Sequence, residues 1–330
     1  MHRLFAALLL IIVLPACADT ASSPWRAPLA QNHPLVGRIW LTGPGRFVDE
    51  TDLATHLSEA DFVLLGERHD NPDHHRLQTW ALTQIVAAGR RPVVAFEMIS
   101  PEQAPALQRH LQDHPGDVAG LAEALDWQHG NWPDWLFYQP LFAVAIQANL
   151  PLRAANLPQG TLRTIVRGQP LPVETQRFYR LDQALAPALV TAMAEEIRQS
   201  HCRQLPERAI APMVDVQRAR DAAMAHAMAD DTPNGGLLIA GAGHTRTDRG
   251  VPMQLAALAP RRTIFSLAFV EVADEQTDPA AYGEAFGAPE LPFDAIWFTP
   301  RASDDDPCAE MINFMKKKTE KEQAGEKNKE

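Results

Sequence analysis

A glutamate and a histidine stand two residues apart at the end of an apolar run, in Val63-Leu64-Leu65-Gly66-Glu67-Arg68-His69. A carboxylate beside an imidazole can move protons, activate water or share a divalent metal. A second apolar run ends in Gly241-Ala242-Gly243-His244, and a third, residues 92–96, ends on Glu97. A lone carboxylate after five core-like residues is costly to bury, so stability explains Glu97 poorly. Any one of these groups alone would be explained by a turn or a local ion pair. Glu67, His69, Glu97 and His244 all fall at strand ends, where α/β folds build their sites, and are the candidate catalytic group. His69, Glu97 and His244 are also the candidate ligand set for a divalent metal.

Other polar residues are placed to join them. His74 and His75 open the helix that follows the first run and rank second, and Asp73 is positioned to cap it. Gln217, Asp221 and Met224 form one helical stripe. Arg246 leaves the same strand end as His244. His201 precedes Cys202 in a loop, but a Cys–His nucleophile there lacks a third orienting group. Trp127, Trp132, Trp135, Phe137, Tyr138 and Phe142 suit core packing, or a flat surface for a large ring. The chain has three tyrosines, Tyr138, Tyr179 and Tyr282, so a tyrosinate ligand to iron must be one of these.

Short apolar runs at 62–66, 92–96, 150–154, 237–241, 264–270 and 295–298 read as buried strands. Residues 72–88 and 135–148 have helical length and period. The alternation predicts an α/β fold: a mostly parallel central sheet flanked by helices. Residues 160–230 lack a good strand and are rich in Ala, Leu, Met, Glu and Gln, which predicts an inserted helical lobe. The predicted domain is 34–310, single and large enough for a sizeable core.

The ends read differently. Met1-His2-Arg3 is basic and residues 4–14 are apolar, too short a run to span a bilayer as a helix, so 1–16 reads as a signal peptide. Leu14-Pro15-Ala16-Cys17 resembles a bacterial lipobox, with Cys17 as the lipidated residue. With Ala18 next, an outer-membrane anchor facing the periplasm is expected, with membrane contact through the lipid only. Residues 17–33 read as a tether and 311–330 as a charged, disordered tail. A Cys202–Cys308 bond is left open by sequence alone. The net charge of −11 argues against nucleic acid as a partner.

The motifs together resemble the ChaN family of haem-binding lipoproteins, in the Tiki and erythromycin-esterase-like superfamily. They are Gly66-Glu67-Arg68-His69-Asp70-Asn71 with His75, Phe96-Glu97-Met98, Trp132 to Tyr138-Gln139-Pro140, Asn156-Leu157-Pro158 and His201-Cys202. Residues 217–225, then Gly241-Ala242-Gly243-His244-Thr245-Arg246 and Gly250-Val251-Pro252, complete the series. The resemblance implies haem or another iron ligand, a role in iron uptake, an outer-membrane receptor or transporter as partner, and a ligand-bridged homodimer. It makes Tyr138 the candidate haem ligand, with His75, Asn156, His201, Gln217, Asp221 and Arg246 as candidate cofactor contacts. By analogy with the hydrolases of the superfamily, it also implies a reactive centre at Glu67, His69, Glu97 and His244, the alternative being a metal-dependent peptidase or esterase.

Overall fold

The computed structural model describes residues 25–306, 308, 309 and 312. The predicted signal peptide, Cys17 and nearly all of the charged tail lie outside these residues.

Eight strands form one sheet in the order β2-β1-β8-β7-β3-β6-β4-β5. In chain order they are β1 (Ile39–Leu41), β2 (Arg46–Val48), β3 (Phe62–Glu67), β4 (Val93–Phe96), β5 (Leu152–Ala154), β6 (Gly236–Gly241), β7 (Ile264–Glu271) and β8 (Ala295–Thr299). β3 to β8 run parallel, and β1 and β2 add an antiparallel hairpin at one side. The helices are α1 (Glu50–Glu59), α2 (Pro72–Ala87), α3 (Ala104–Asp113), α4 (Leu121–Ala124), α5 (Trp135–Gln147), α6 (Gln159–Val166), α7 (Val173–Phe178), α8 (Pro187–Ser200), α9 (Glu207–Ala229) and α10 (Val251–Leu258). The α/β expectation is borne out.

β3 shows why its run is unbroken. Successive side chains point to opposite faces. Val63 and Leu65 join the cluster with Leu77, Leu82 and Phe142 on α2 and α5. Phe62 and Leu64 join Met224, Ala225 and Leu255 on α9 and α10. Both faces are covered, so every position is apolar until Gly66 and Glu67. Asn71 caps α2, accepting from Asp73 N, and Pro72 sits in the first turn. Asp73 was the expected cap. Its carboxylate instead accepts the backbone N–H groups of Arg26 and Ala27, at 3.0 and 2.9 Å. The tether predicted to reach His33 is therefore packed from Trp25 onward, with Ala27 fully buried.

The helical insertion runs through α6, α7, α8 and α9, from Gln159 to Ala229. α6 and α7 pack on α9 through Leu157, Ile165, Tyr179, Val216 and Ala219. α8 packs on its first half through Met193, Ile197, Ile210 and Val214. The corner between α8 and α9 carries Cys202, which is disulfide-bonded to Cys308 beyond β8. Among the described residues no helix is long and apolar enough to cross a membrane.

Candidate functional site at the carboxyl edge of the sheet

Three adjacent parallel strands, β3, β6 and β4, end together and deliver Glu67, Gly241 and Glu97 to one place. Gly66 is required by close approach, because a Cβ there would overlap Thr245 Oγ1 and lie 3.0 Å from Ala242 Cα. That approach lets the turn after β6 fold across the end of β3 and bring His244 over Glu97.

Glu97 is the centre. Its Oε2 accepts the Gly241 N–H at 2.8 Å and lies 3.9 Å from His69 Nε2. Its Oε1 accepts from Arg220 Nη2 at 3.1 Å and lies 3.5 Å from His244 Nε2. Each imidazole carries a second carboxylate on its other nitrogen. His69 Nδ1 is 2.7 Å from Glu67 Oε1, and His244 Nδ1 is 2.6 Å from Asp221 Oδ1. Two carboxylate–imidazole pairs thus face each other across a shared glutamate. Gln217 Nε2 also touches His244 Nδ1, at 3.1 Å. Asn156 donates to the Glu97 carbonyl at 2.8 Å and accepts from Arg220 Nε.

Burial and neighbours set the charges. Burial pushes the Glu97 carboxyl up, but His244, His69 and Arg220 outweigh it and hold it below the ordinary range. Burial likewise opposes ionisation of Glu67, and His75 and His69 hold it well below normal. Burial pushes His244 down, while Glu97 and Asp221 raise it to about 9. His69 is raised by Glu67 and Glu97 against the same burial penalty. His244 is therefore an imidazolium at neutral pH, able to donate protons or stabilise negative charge. His69 is 36 % exposed at the side chain, the open member of the pair, with Trp132 edge-on at 5.2 Å.

The sequence candidates divide. Glu67, His69, His75, Glu97, Tyr138, Asn156, Gln217, Asp221 and His244 come together. His75 is buried, lies 3.3 Å from Glu67 Oε2, and donates from Nε2 to the His69 carbonyl. His201 does not join: its Nδ1 is bonded to the Ile197 carbonyl at the end of α8. Arg246 does not either, for its buried guanidinium grips Asp248 and the Phe286 carbonyl. His74 is a structural group that binds Arg68 N and Thr299 Oγ1, and burial lowers it to about 3. Arg220, which lies beside the Gln217, Asp221 and Met224 stripe, is the cation on Glu97.

Two ligand expectations meet the geometry. The divalent-metal set of His69, Glu97 and His244 gains no support from the geometry: among the described residues no group of three or more His, Cys, Asp or Glu side chains is arranged to hold a metal ion. The physical reason is that His244 has carboxylates on both nitrogens, and Arg220 and Gly241 N–H already occupy the Glu97 oxygens. The tyrosine expectation for haem also fails to fit. Tyr138 is fully buried and donates to Glu67 Oε1 at 2.6 Å, and burial and that carboxylate raise its pKa far above normal. Tyr179 and Tyr282 are also buried, and Tyr282 OH is used within its loop.

Comparison with known proteins places the fold. Campylobacter jejuni ChaN, whose structure concerns cofacial haem binding, superposes with a TM-score of 0.62 at 21 % identity, covering 82 % of this chain and 98 % of that one. A mutant of the erythromycin esterase EreC, in its open conformation, aligns at a TM-score of 0.44 and 13 % identity, covering 82 % of this chain and 99 % of that one. No curated protein matches. The family described as haem-binding uptake, Tiki superfamily, ChaN matches residues 53–255, more than half of the chain and every element that builds the site. The chain belongs to that ChaN family.

Proposed function

We propose that this protein is a lipid-anchored periplasmic haem-binding protein that serves haem or iron uptake. The observation that carries the reading is the family match over residues 53–255. The disulfide supports the compartment, since such bonds persist outside the reducing cytosol. With the tyrosines buried, the surface that suits haem is the rim of the strand-end pocket. Close in sequence to Trp132, which packs edge-on against His69, His129 has a side chain 81 % exposed, and its Nδ1 is held 2.6 Å from Asp126 Oδ1, leaving Nε2 without that partner. A carboxylate on the far nitrogen is the usual way a protein orients an imidazole ligand. Trp132 and the 64 % exposed Leu136 supply apolar area nearby in sequence. Titration of the purified protein with haemin is expected to shift the Soret band, unchanged by Tyr138→Phe and weakened at least about tenfold by His129→Ala. No spectral change at micromolar haemin would sink the reading.

A second reading is favoured by one observation that haem binding does not require: the two carboxylate–imidazole pairs across Glu97. In it the protein is a hydrolase of esters or peptides. His69, oriented by Glu67, takes a proton from water, and the His244 imidazolium and Arg220 stabilise the developing oxyanion. An ester and peptide panel tests it. Turnover that His69→Gln abolishes would establish it, and inertness toward every substrate would remove it.

A further inference from the structure

β6 lies between β3 and β4, so its end stands between the strand that delivers Glu67 and the strand that delivers Glu97. In the register Gly241 is the direct neighbour of Glu67. Leu237 and Ile239 point to the face packed by α2 and α5. By alternation residue 241 points there too, toward the turn that carries His69. A Cβ on Gly241 would stand 3.1 Å from His69 Nε2 and 3.7 Å from Glu97 Oε2. Its φ is outside the left-handed region, so the backbone itself does not demand glycine. What glycine supplies here is space between the two side chains.

That space has a defined chemistry. His69 Nε2 and Glu97 Oε2 are 3.9 Å apart, too far for a direct hydrogen bond and suited to one atom bridging both at about 2.8 Å. The Glu67 carboxylate lies 2.7 Å from His69 Nδ1 and can only accept. Nδ1 therefore carries the proton, and in the neutral ring Nε2 is a bare acceptor. Glu97 Oε2 is an acceptor as well, fixed by the Gly241 N–H at 2.8 Å. A molecule held by both must donate two protons from one atom. Water does, and an alcohol, with one O–H, does not.

We propose that the gap over Gly241 seats the attacking water, and that it makes water rather than an alcohol the acyl acceptor of this site. The proposal rests on the hydrolase reading. One water proton points at His69 Nε2 and the other at Glu97 Oε2, which leaves a lone pair directed away from both. In attack that lone pair forms the bond to the acyl carbon, the carbonyl π pair moves onto its oxygen, and the first proton passes to Nε2. Collapse of the tetrahedral adduct breaks the bond to the leaving group, which takes that proton from His69. Ester and water thus become acid and alcohol. Gly241 is a positioning residue: it acts through the water, by leaving room for it.

Crystal structures of the wild type and two alanine variants test it. Alanine keeps the N–H of residue 241, so Gly241→Ala alters only the space. The wild type is expected to hold an ordered water within about 3.2 Å of both His69 Nε2 and Glu97 Oε2, and Gly241→Ala to hold none. Gly243→Ala, whose Cβ would meet only Glu196 Oε1 at 3.8 Å, is the control and should keep it. No water at that position in the wild type, or one that persists in Gly241→Ala, would overturn the proposal. Should Gly241→Ala not fold, the wild-type map decides alone. On any ester that is turned over, Gly241→Ala should lower kcat at least about hundredfold and leave KM within about twofold. Added methanol should give no methyl ester, and methyl ester formed alongside the acid would overturn the choice of acceptor. Inertness toward every ester and peptide removes the hydrolase reading, while the bridging water still decides whether the seat exists.

Discussion

Four groups share the two oxygens of Glu97: Arg220 and His244 on one, the Gly241 N–H and His69 on the other. Removing one partner of a buried charge cluster strands the rest. Glu97→Gln is expected to destabilise the protein by about 3 kcal/mol, read from urea unfolding, a loss that Arg220→Met added to it should partly restore. The pH dependence follows from His244, which rises from 6.5 to about 9 on folding. A group raised on folding contributes fully below its unfolded value and loses that contribution as pH passes its folded value. Stability should fall between about pH 6.5 and 9, by an amount on the order of 3 kcal/mol, and His244→Gln should flatten that slope in thermal unfolding across pH. At this scale the sequence located Glu67, His69, Glu97 and His244 because each follows an apolar run. It held no sign of the charge state of His244, which depends on Asp221, a helix away. The metal expectation gains no support because the donor atoms of His244 and Glu97 already have protein partners.

Glycines fix how closely the elements that carry the site approach. Gly250 starts α10 with φ of +79°, and a Cβ there would stand 2.5 Å from the His244 carbonyl oxygen. Gly250→Ala combines left-handed strain with a backbone clash, and is expected to cost at least about 2 kcal/mol by calorimetry. It should also displace His244, seen as a shift of its imidazole resonances. Gly168, also at positive φ but with open space around it, is the control: Gly168→Ala should lose less, about 1 kcal/mol, from backbone strain alone. The parallel strands were legible because short, uninterrupted apolar runs fit strands covered on both faces. The helical lobe was legible because a long segment rich in Ala and Leu carries no such run. β1 and β2 were not, since three residues each give no period to detect. Tyr138 lies in a recognisable aromatic cluster, but its bond to Glu67 spans 71 positions and only packing of α5 on α2 reveals it.

Over the whole molecule, the covalent link between lobe and sheet dominates. Cys202 and Cys308 are 106 positions apart, and the chain-entropy estimate for such a loop is about 4–5 kcal/mol. Reduction, or Cys202→Ser, is therefore expected to lower the unfolding midpoint markedly, and protease should then cut first near the α8–α9 corner. Spacing alone could not reveal this bond, because residues so far apart meet only once the lobe has folded back over the strand ends. The closed loop also changes what a protease can do to the protein. It encloses α9, β6, α10, β7 and β8. A single cut anywhere inside it leaves one covalent molecule with its site-bearing strands still joined, so proteolytic damage there would show as two fragments only after reduction. A nicked molecule could thus remain whole and serviceable at its post.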